Sequence, residues 1–331
     1  MKIYENNPPI NPKVSILVPV CNTSKFLPRC LDSLVSQTLK NIEIICLNDG
    51  STDDSLDILK RYQFADSRIR VVDKQNSGYG STMNLGISLA KGEYIGIVES
   101  DDFAEKNMFK KLYRVARWNK CDIAKGSYFE HSEQGDAPQE PFKEFRYRTP
   151  FDPRDNEWVT CVLPIIWAAI YKREMLIGNN VRFNETPGAS FQDTSFVFQC
   201  WAASRKVVLI KDCLLHYRVD NAGSSVKSGK KVFAVCDEYE LSQRFLNEDS
   251  ERQAAFGEMI HVLKLGTYRW NYWRISDDCK QEFAERMAEE YRAARDSGLL
   301  NEKLFTPQDW ALLQELMEDV ESFCRNHREA F

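Results

Sequence analysis

Ile42-Glu43-Ile44-Ile45-Cys46-Leu47 runs straight into Asn48-Asp49-Gly50-Ser51-Thr52-Asp53-Asp54, and Tyr94-Ile95-Gly96-Ile97-Val98 runs straight into Glu99-Ser100-Asp101-Asp102. Short β-branched runs that stop at acidic loops read as buried strands whose C-terminal ends carry chemistry. Open α/β sheets bind ligands at that edge. Glu99, Asp101 and Asp102 crowd hard oxygens into one loop, a set that suits Mn²⁺ or Mg²⁺ and the phosphates such an ion bridges. The two loops together point to an enzyme that handles a nucleotide through a metal.

Outward from these loops, strand and helix patterns alternate. Residues 14–20, 42–47, 69–72 and 94–98 read as strands. Residues 26–39, a segment opening at Ser51 or Asp53 and running to 64, then 82–90 and 107–118 read as helices, with Pro28 tolerable in a first turn. This alternation predicts a mostly parallel sheet flanked by helices on both faces. From about 126 to 157 the pattern weakens into a polar stretch, read as a variable loop. Periodicity returns at 159–171, at a helix over 194–203 and at strands over 207–219. Gly223-Ser224-Ser225-Val226-Lys227-Ser228-Gly229 reads as a flexible segment, and from about Lys231 the pattern is helical with no strand candidate.

Composition limits the function classes. The 331 residues are 43% apolar and 28% charged, as in a globular chain, and the net charge of −5 argues against a general nucleic-acid binder. No apolar run is long enough to span a bilayer, and Met1-Lys2-Ile3-Tyr4-Glu5-Asn6-Asn7-Pro8-Pro9 lacks a signal-peptide core, so a cytoplasmic location is expected. The ten cysteines include no Cys-x-x-Cys spacing, and Cys21, Cys46, Cys161, Cys200 and Cys213 lie in apolar runs, which reads as buried free thiols.

Single residues each allow a plain and a functional reading. Asp49 fits a strand-to-helix turn and fits equally a carboxylate that accepts the N–H of a pyrimidine base. The Glu99/Asp101/Asp102 cluster would repel itself without a cation, with Asp101 the best single ligand and Glu99 on the same strand face. Gly78-Tyr79-Gly80 enters a helix where backbone N–H groups approach a phosphate, although neither a dinucleotide fingerprint nor a P-loop is present. Asp193 stands before a helix, as an N-cap or as a general base kept ionised by the helix start. His216 reads as a structural imidazole or, beside a metal site, as a ligand.

Val14-Ser15-Ile16-Leu17-Val18-Pro19-Val20, Leu47-Asn48-Asp49-Gly50-Ser51-Thr52-Asp53 and the Gly92-to-Asp102 stretch together resemble the family 2 inverting glycosyltransferases of the GT-A fold, over roughly residues 13 to 230. The resemblance implies a GT-A catalytic domain over 1–230, its nucleotide half at about 13–105 and its acceptor half at about 106–230, followed by a helical extension over 231–331. It implies Asp193 as catalytic base. It implies a donor nucleotide-diphosphate sugar held by Pro19, Val20, Asp49, Asn76, Gly78, Asn84, Glu99 and Ser100, and Mn²⁺ or Mg²⁺ on Glu99, Asp101 and His216. A glycan, lipid-linked or small acceptor is implied, as is work on bacterial surface polysaccharide, with a peripheral association at the inner membrane face left open. Four positions depart from the family: Cys21 replaces a base-stacking aromatic, Glu99 an Asp, Gln192 a Glu, and Met83 an Arg before Asn84. These bear on the donor more than on the reaction class.

Two rivals remain at this level. A nucleotidyltransferase needs a basic, glycine-rich phosphate loop, which Pro19-Val20-Cys21-Asn22-Thr23 does not supply. A degenerate nucleotide- or glycan-binding module without turnover draws support from Cys21, Met83 and Gln192. In the last hundred residues, the aromatic and basic stretch 261–274 reads as helix packing more readily than as a membrane-interface helix.

Overall fold

The computed structural model describes residues 1–6, 9–221 and 231–327. They fall into two compact units, Met1–Gly223 and Ser224–Phe331. The expected boundary after Lys230 and the segment 223–229 lie outside the described residues.

The first unit is built on one sheet. Its strands are β1 (Lys2–Glu5), β2 (Val14–Val20), β3 (Ile42–Asp49), β4 (Ile69–Lys74), β5 (Tyr94–Ile97), β6 (Phe103–Ala104), β7 (Ile123–Ser132), β8 (Gly135–Gln139), β9 (Ala169–Lys172) and β10 (Val207–Arg218). Their order is β1-β4-β3-β2-β5-β9-β7-β10-β6, with β8 hydrogen-bonded to β7. Every residue of β2 and β3 is buried, as the covered strands of a parallel sheet must be. Helices α1 (Leu27–Val35), α2 (Ser55–Ala65), α3 (Tyr79–Leu89), α4 (Met108–Asn119), α5 (Arg173–Gly178) and α6 (Gln192–Ala203) complete an α/β unit of the expected class. The chain runs β2 to β3 to β4 in one direction and then returns to place β5 on the other side of β2. That reversal opens a crevice at the C-terminal ends of β2, β3 and β5, where Val20, Asp49 and the 99–102 loop stand.

The structure differs from the sequence reading in four places. The parallel pairing is confined to β4-β3-β2-β5 and β7-β10; β5–β9, β9–β7, β7–β8, β10–β6 and β1–β4 are antiparallel. The stretch read as a loop from about 126 holds most of β7 and all of β8, because β8 is an exposed edge strand with no apolar alternation. Helix α2 starts at Ser55, with Asp53 accepting from the Ser55 and Ser24 N–H groups. Among the cysteines, Cys46 and Cys200 are buried, Cys213 is half-buried, and Cys21 and Cys161 are exposed, since Cys21 lies past the end of β2 and Cys161 in a single 3₁₀ turn.

The second unit holds α7 (Ala234–Asn247), α8 (Ser250–Phe256), α9 (Met259–Arg274), α10 (Asp277–Asp296), α11 (Pro307–Glu318) and α12 (Val320–Asn326), with no strand among its described residues. Tyr239, Tyr268, Tyr272, Phe283 and Tyr291 are buried. On α9, Lys264 pairs with Glu290 and Arg269 with Asp309. The aromatic and basic residues of this helix thus serve largely to pack the unit. No helix among the described residues is long and apolar enough to cross a membrane.

Candidate active site

Strand β5 ends at Ile97, and Glu99–Asp102 closes a turn in which the Asp102 N–H donates to the Glu99 carbonyl at 3.1 Å. Strand alternation therefore does not set where these carboxylates point; the turn does. Glu99 accepts from the Tyr79 hydroxyl at 2.7 Å. Asp101 accepts from the Asn221 amide at 2.8 Å. Asp102 is buried, with one oxygen accepting the Arg218 N–H at 2.8 Å and the other making no hydrogen bond. The Ser100 hydroxyl accepts from Thr23.

Charge repulsion is visible in this loop. Burial, together with the charges of Asp101 and Asp193, pushes the Glu99 carboxyl up to about 8, against the opposing Tyr79 hydrogen bond. Asp102 is raised as well, first by burial and then by Asp101. The Asp193 charge acting on Glu99 places the expected base within electrostatic reach of the cluster.

Asp193 is not the N-cap. Helix α6 begins at Gln192, its N-cap is Phe191 with φ of 61°, and Asp193 lies in the first turn. Its Oδ1 accepts the Thr194 N–H at 2.9 Å. Burial outweighs that bond and raises the carboxyl to about 6, rather than the helix start lowering it. A carboxylate poised near neutrality is a better base than an ordinary one. Gln192 pins the preceding segment instead, donating to Thr186 and Gly188 while accepting the Ser190 N–H.

Several residues expected at the donor are used within the protein. Asp49 is 5% exposed; its Oδ1 takes Lys74 and the Ser77 N–H, and its Oδ2 takes the Gly78 N–H at 3.1 Å. One lone pair on Oδ2 is left for a base. The Tyr79 N–H donates to the Gly188 carbonyl. With Ser77 and Gly78 turned to Asp49, this helix start is not the phosphate cradle the sequence suggested. Gly80 explains why: a Cβ there would lie 1.8 Å from the Asn184 carbonyl, so the 184–188 segment packs directly on the turn. Asn84 is likewise engaged, donating to Phe183 and Glu185 and accepting the Phe183 N–H. Asn76 donates to the Asp49 carbonyl and lies 3.6 Å from Cys21 Sγ. Pro19 and Val20 pair with Leu47 and Asn48 at the strand ends facing the crevice.

His216 sits in a metal-suited group, but with His131 and Asp136 rather than with Glu99 and Asp101. Its Nε2 lies 2.9 Å from Glu105 and its Nδ1 3.2 Å from Asp136. Residues that sequence reasoning did not select also shape the site. Tyr79, quoted only as part of a glycine loop, holds Glu99, and Lys74 holds Asp49. Trp167 stacks on Tyr217 at 5.0 Å. Burial, joined by the charges of Asp102, Asp101 and Asp193, pushes the Tyr217 hydroxyl up to about 12. Nothing in the local sequence around Trp167 signals that pairing.

A sheet edge carrying a carboxylate cluster, a buried aspartate at a strand end and a further carboxyl raised by burial is the arrangement expected of an α/β enzyme. The sequence profile described as glycosyl transferase family 2 matches residues 15–178. Glycosyltransferase GlyG of Streptococcus pneumoniae serotype 4 is 33% identical over 217 residues, covering 62% of this chain and 70% of GlyG. The chain belongs to this family and is a glycosyltransferase. Its fold is similar to that of S. aureus TarS in complex with UDP-GlcNAc, with a TM-score of 0.60, 17% identity and coverage of 94% of this chain and 92% of that one. It is also similar to the mannosyltransferase PcManGT of Pyrobaculum calidifontis in complex with GDP-Man and Mn²⁺, with a TM-score of 0.55, 16% identity and coverage of 97% and 88%.

Proposed function

We propose that this chain transfers a sugar, with inversion, from a nucleotide-diphosphate donor to an acceptor hydroxyl in the synthesis of a surface polysaccharide or glycoconjugate. The observation that carries this reading is the gathering of Glu99, Asp101 and Asp102 past the end of β5, with Asp193 close enough for its charge to act on Glu99. Donor handling and proton removal are thereby brought together.

A divalent cation fits the donor set. The Glu99–Asp102 loop gathers carboxylates in which burial and the charge of Asp101 raise Glu99 and Asp102, and a buried Asp102 oxygen makes no hydrogen bond. Asp101 and Glu99 would hold Mn²⁺ or Mg²⁺, with Tyr79 orienting Glu99. When bound, such an ion neutralises charge on the donor's diphosphate. Asp49 uses its remaining lone pair on the base, and Pro19, Val20 and Asn76 line the same crevice. The Glu99–Asp101 set does not include His216, whose two nitrogens face other groups.

The chain's own residues supply the rest. Asp193 accepts the acceptor proton at Oδ2 while Oδ1 keeps the Thr194 N–H. Arg218 donates through Nε to the Asp101 carbonyl and through its N–H to Asp102, fixing the loop from β10. The stacked Trp167 and Tyr217 form an aromatic wall suited to an acceptor ring. The structures of TarS and PcManGT in complex with nucleotide sugars support the donor class. Release of nucleoside diphosphate from UDP-, GDP- and dTDP-sugars, with and without Mn²⁺, tests the reading; donor binding without any turnover by the wild type would favour the degenerate module.

A further inference from the structure

His131, Asp136 and His216 meet on the far half of the sheet. His131 on β7 and Asp136 on β8 are direct cross-strand partners. Arg218 on β10 pairs with His131 from the other side, so His216, two residues back, projects from the same face of the sheet. The Nδ1 atoms of both imidazoles face the Asp136 carboxylate, at 2.5 Å from Oδ1 for His131 and 3.2 Å from Oδ2 for His216. The three ligand atoms lie within 4.8 Å of one another.

His216 is held for this task. It is 7% exposed, and its ring is stacked between Phe103 at 4.2 Å and Phe129 at 4.8 Å. Glu105 lies 2.9 Å from Nε2. A carboxylate at that nitrogen claims its N–H and leaves the Nδ1 lone pair aimed at Asp136, which is how metal-binding imidazoles are oriented. Nδ1 makes no hydrogen bond although it is buried. Without a cation, a lone pair and a carboxylate oppose each other there.

We propose that His131 Nδ1, Asp136 and His216 Nδ1 bind a transition-metal ion of the zinc type, at a site separate from the Glu99–Asp101 loop. Two neutral imidazoles with one carboxylate suit Zn²⁺ and its neighbours, whereas all-oxygen sets suit Mg²⁺ and Ca²⁺. Arg29 competes with the ion. Its NH1 lies 3.0 Å from His131 Nε2, and because a guanidinium only donates, the His131 proton sits on Nδ1 in the ion-free state. On binding, that proton moves to Nε2 with no net release, and Arg29, which is exposed and rests over the Phe103 ring at 3.7 Å, turns away. The bound ion ties the β7–β8 hairpin to β10 beside Arg218, which in turn fixes Asp101 and Asp102.

The test uses the full chain stripped with chelator and titrated with ZnCl₂ by calorimetry, with anomalous diffraction at the zinc edge. One equivalent of Zn²⁺ should bind, with its anomalous peak between His131, Asp136 and His216. Asp136→Asn should abolish binding, and Glu105→Gln should weaken it about tenfold, as loss of a carboxylate behind a ligating imidazole does. Arg29→Ala, an exposed change that spares the fold, should tighten it. Asp101→Ala should leave it unchanged, which separates this site from the donor's. Zinc that fails to bind, an anomalous peak elsewhere, binding lost in Asp101→Ala, or binding no tighter in Arg29→Ala would each overturn the proposal.

Discussion

Two carboxylate clusters stand in one sheet, and they are wired in opposite ways. At Glu99–Asp102 the acids crowd one turn, and burial with the charges of Asp101 and Asp193 pushes Glu99 up to about 8. At His131–Asp136–His216 the carboxylate faces imidazoles, and against the effect of burial the hydrogen bond from His131 helps hold Asp136 below the usual carboxylate range. The first cluster gathers carboxylates alone, whereas the second sets one carboxylate against two imidazole nitrogens. Local charge balance, rather than the number of acidic residues, separates a site poised for a hard cation from one suited to a softer ion.

The largest effect that would break this comparison is at Asp101. Asp101→Ala should abolish the Mn²⁺-dependent part of nucleotide-sugar affinity in calorimetry while circular dichroism stays native. Unchanged metal-dependent binding would mean that the repulsion in this loop serves something else. Next comes Asp193→Asn, which keeps an Oδ1 acceptor for Thr194. Transfer should fall roughly 10²-fold or more, the usual contribution of a general base, with donor affinity nearly unchanged. Its melting temperature at pH 7 should hold or rise. The sign follows from the raised carboxyl: burial disfavours the ionised form, so the native state loses stability as pH rises from the unfolded value near 3.8 through about 6, and the amide escapes that loss. A clear drop in melting temperature with normal transfer would make Asp193 a purely structural residue.

The same carboxyl sets a pH profile. The base must be ionised, so transfer should fall about tenfold per pH unit below about 6, and this limb should vanish in Asp193→Asn. A limb that persists in the variant belongs to another group. The smallest effect concerns Tyr79→Phe, which removes the hydroxyl that donates to Glu99. A hydrogen bond to a charged group contributes at least about 1.5 kcal/mol, so metal-dependent donor affinity should drop roughly tenfold or more. Wild-type affinity in Tyr79→Phe would show that Glu99 needs no orienting partner.

How far each half could be read follows from how it is buried. β2, β3, β4 and β5 are largely covered on both faces, so each appears in the sequence as a mostly apolar run, and β3 and β5 lead into acidic residues where they leave the core. β8 is exposed along nearly its whole length and contains Pro138, which an edge strand tolerates. β1 is also an exposed edge, with Ile3 at 38%. Neither shows an apolar pattern, because neither buries a face. Asp136 therefore carries no signal in the sequence, and the carboxylates beside His216 are Glu105 and Asp136 rather than Glu99 and Asp101.

The sequence by itself determined the α/β class, the strand ends and the residue types placed there: Asp49 past one strand, Glu99 and Asp101 past another, Asp193 beside a late helix. Burial of apolar runs is a local property, and local patterns record it. Only the tertiary structure decided which polar atoms remain available. Lys74, Ser77 and Gly78 consume most of Asp49, the 183–185 segment consumes Asn84, and Tyr79 restrains Glu99. These partners join segments as far apart as residues 84 and 183. A buried donor or acceptor takes whichever partner the fold brings to it, and no single stretch of sequence specifies that choice.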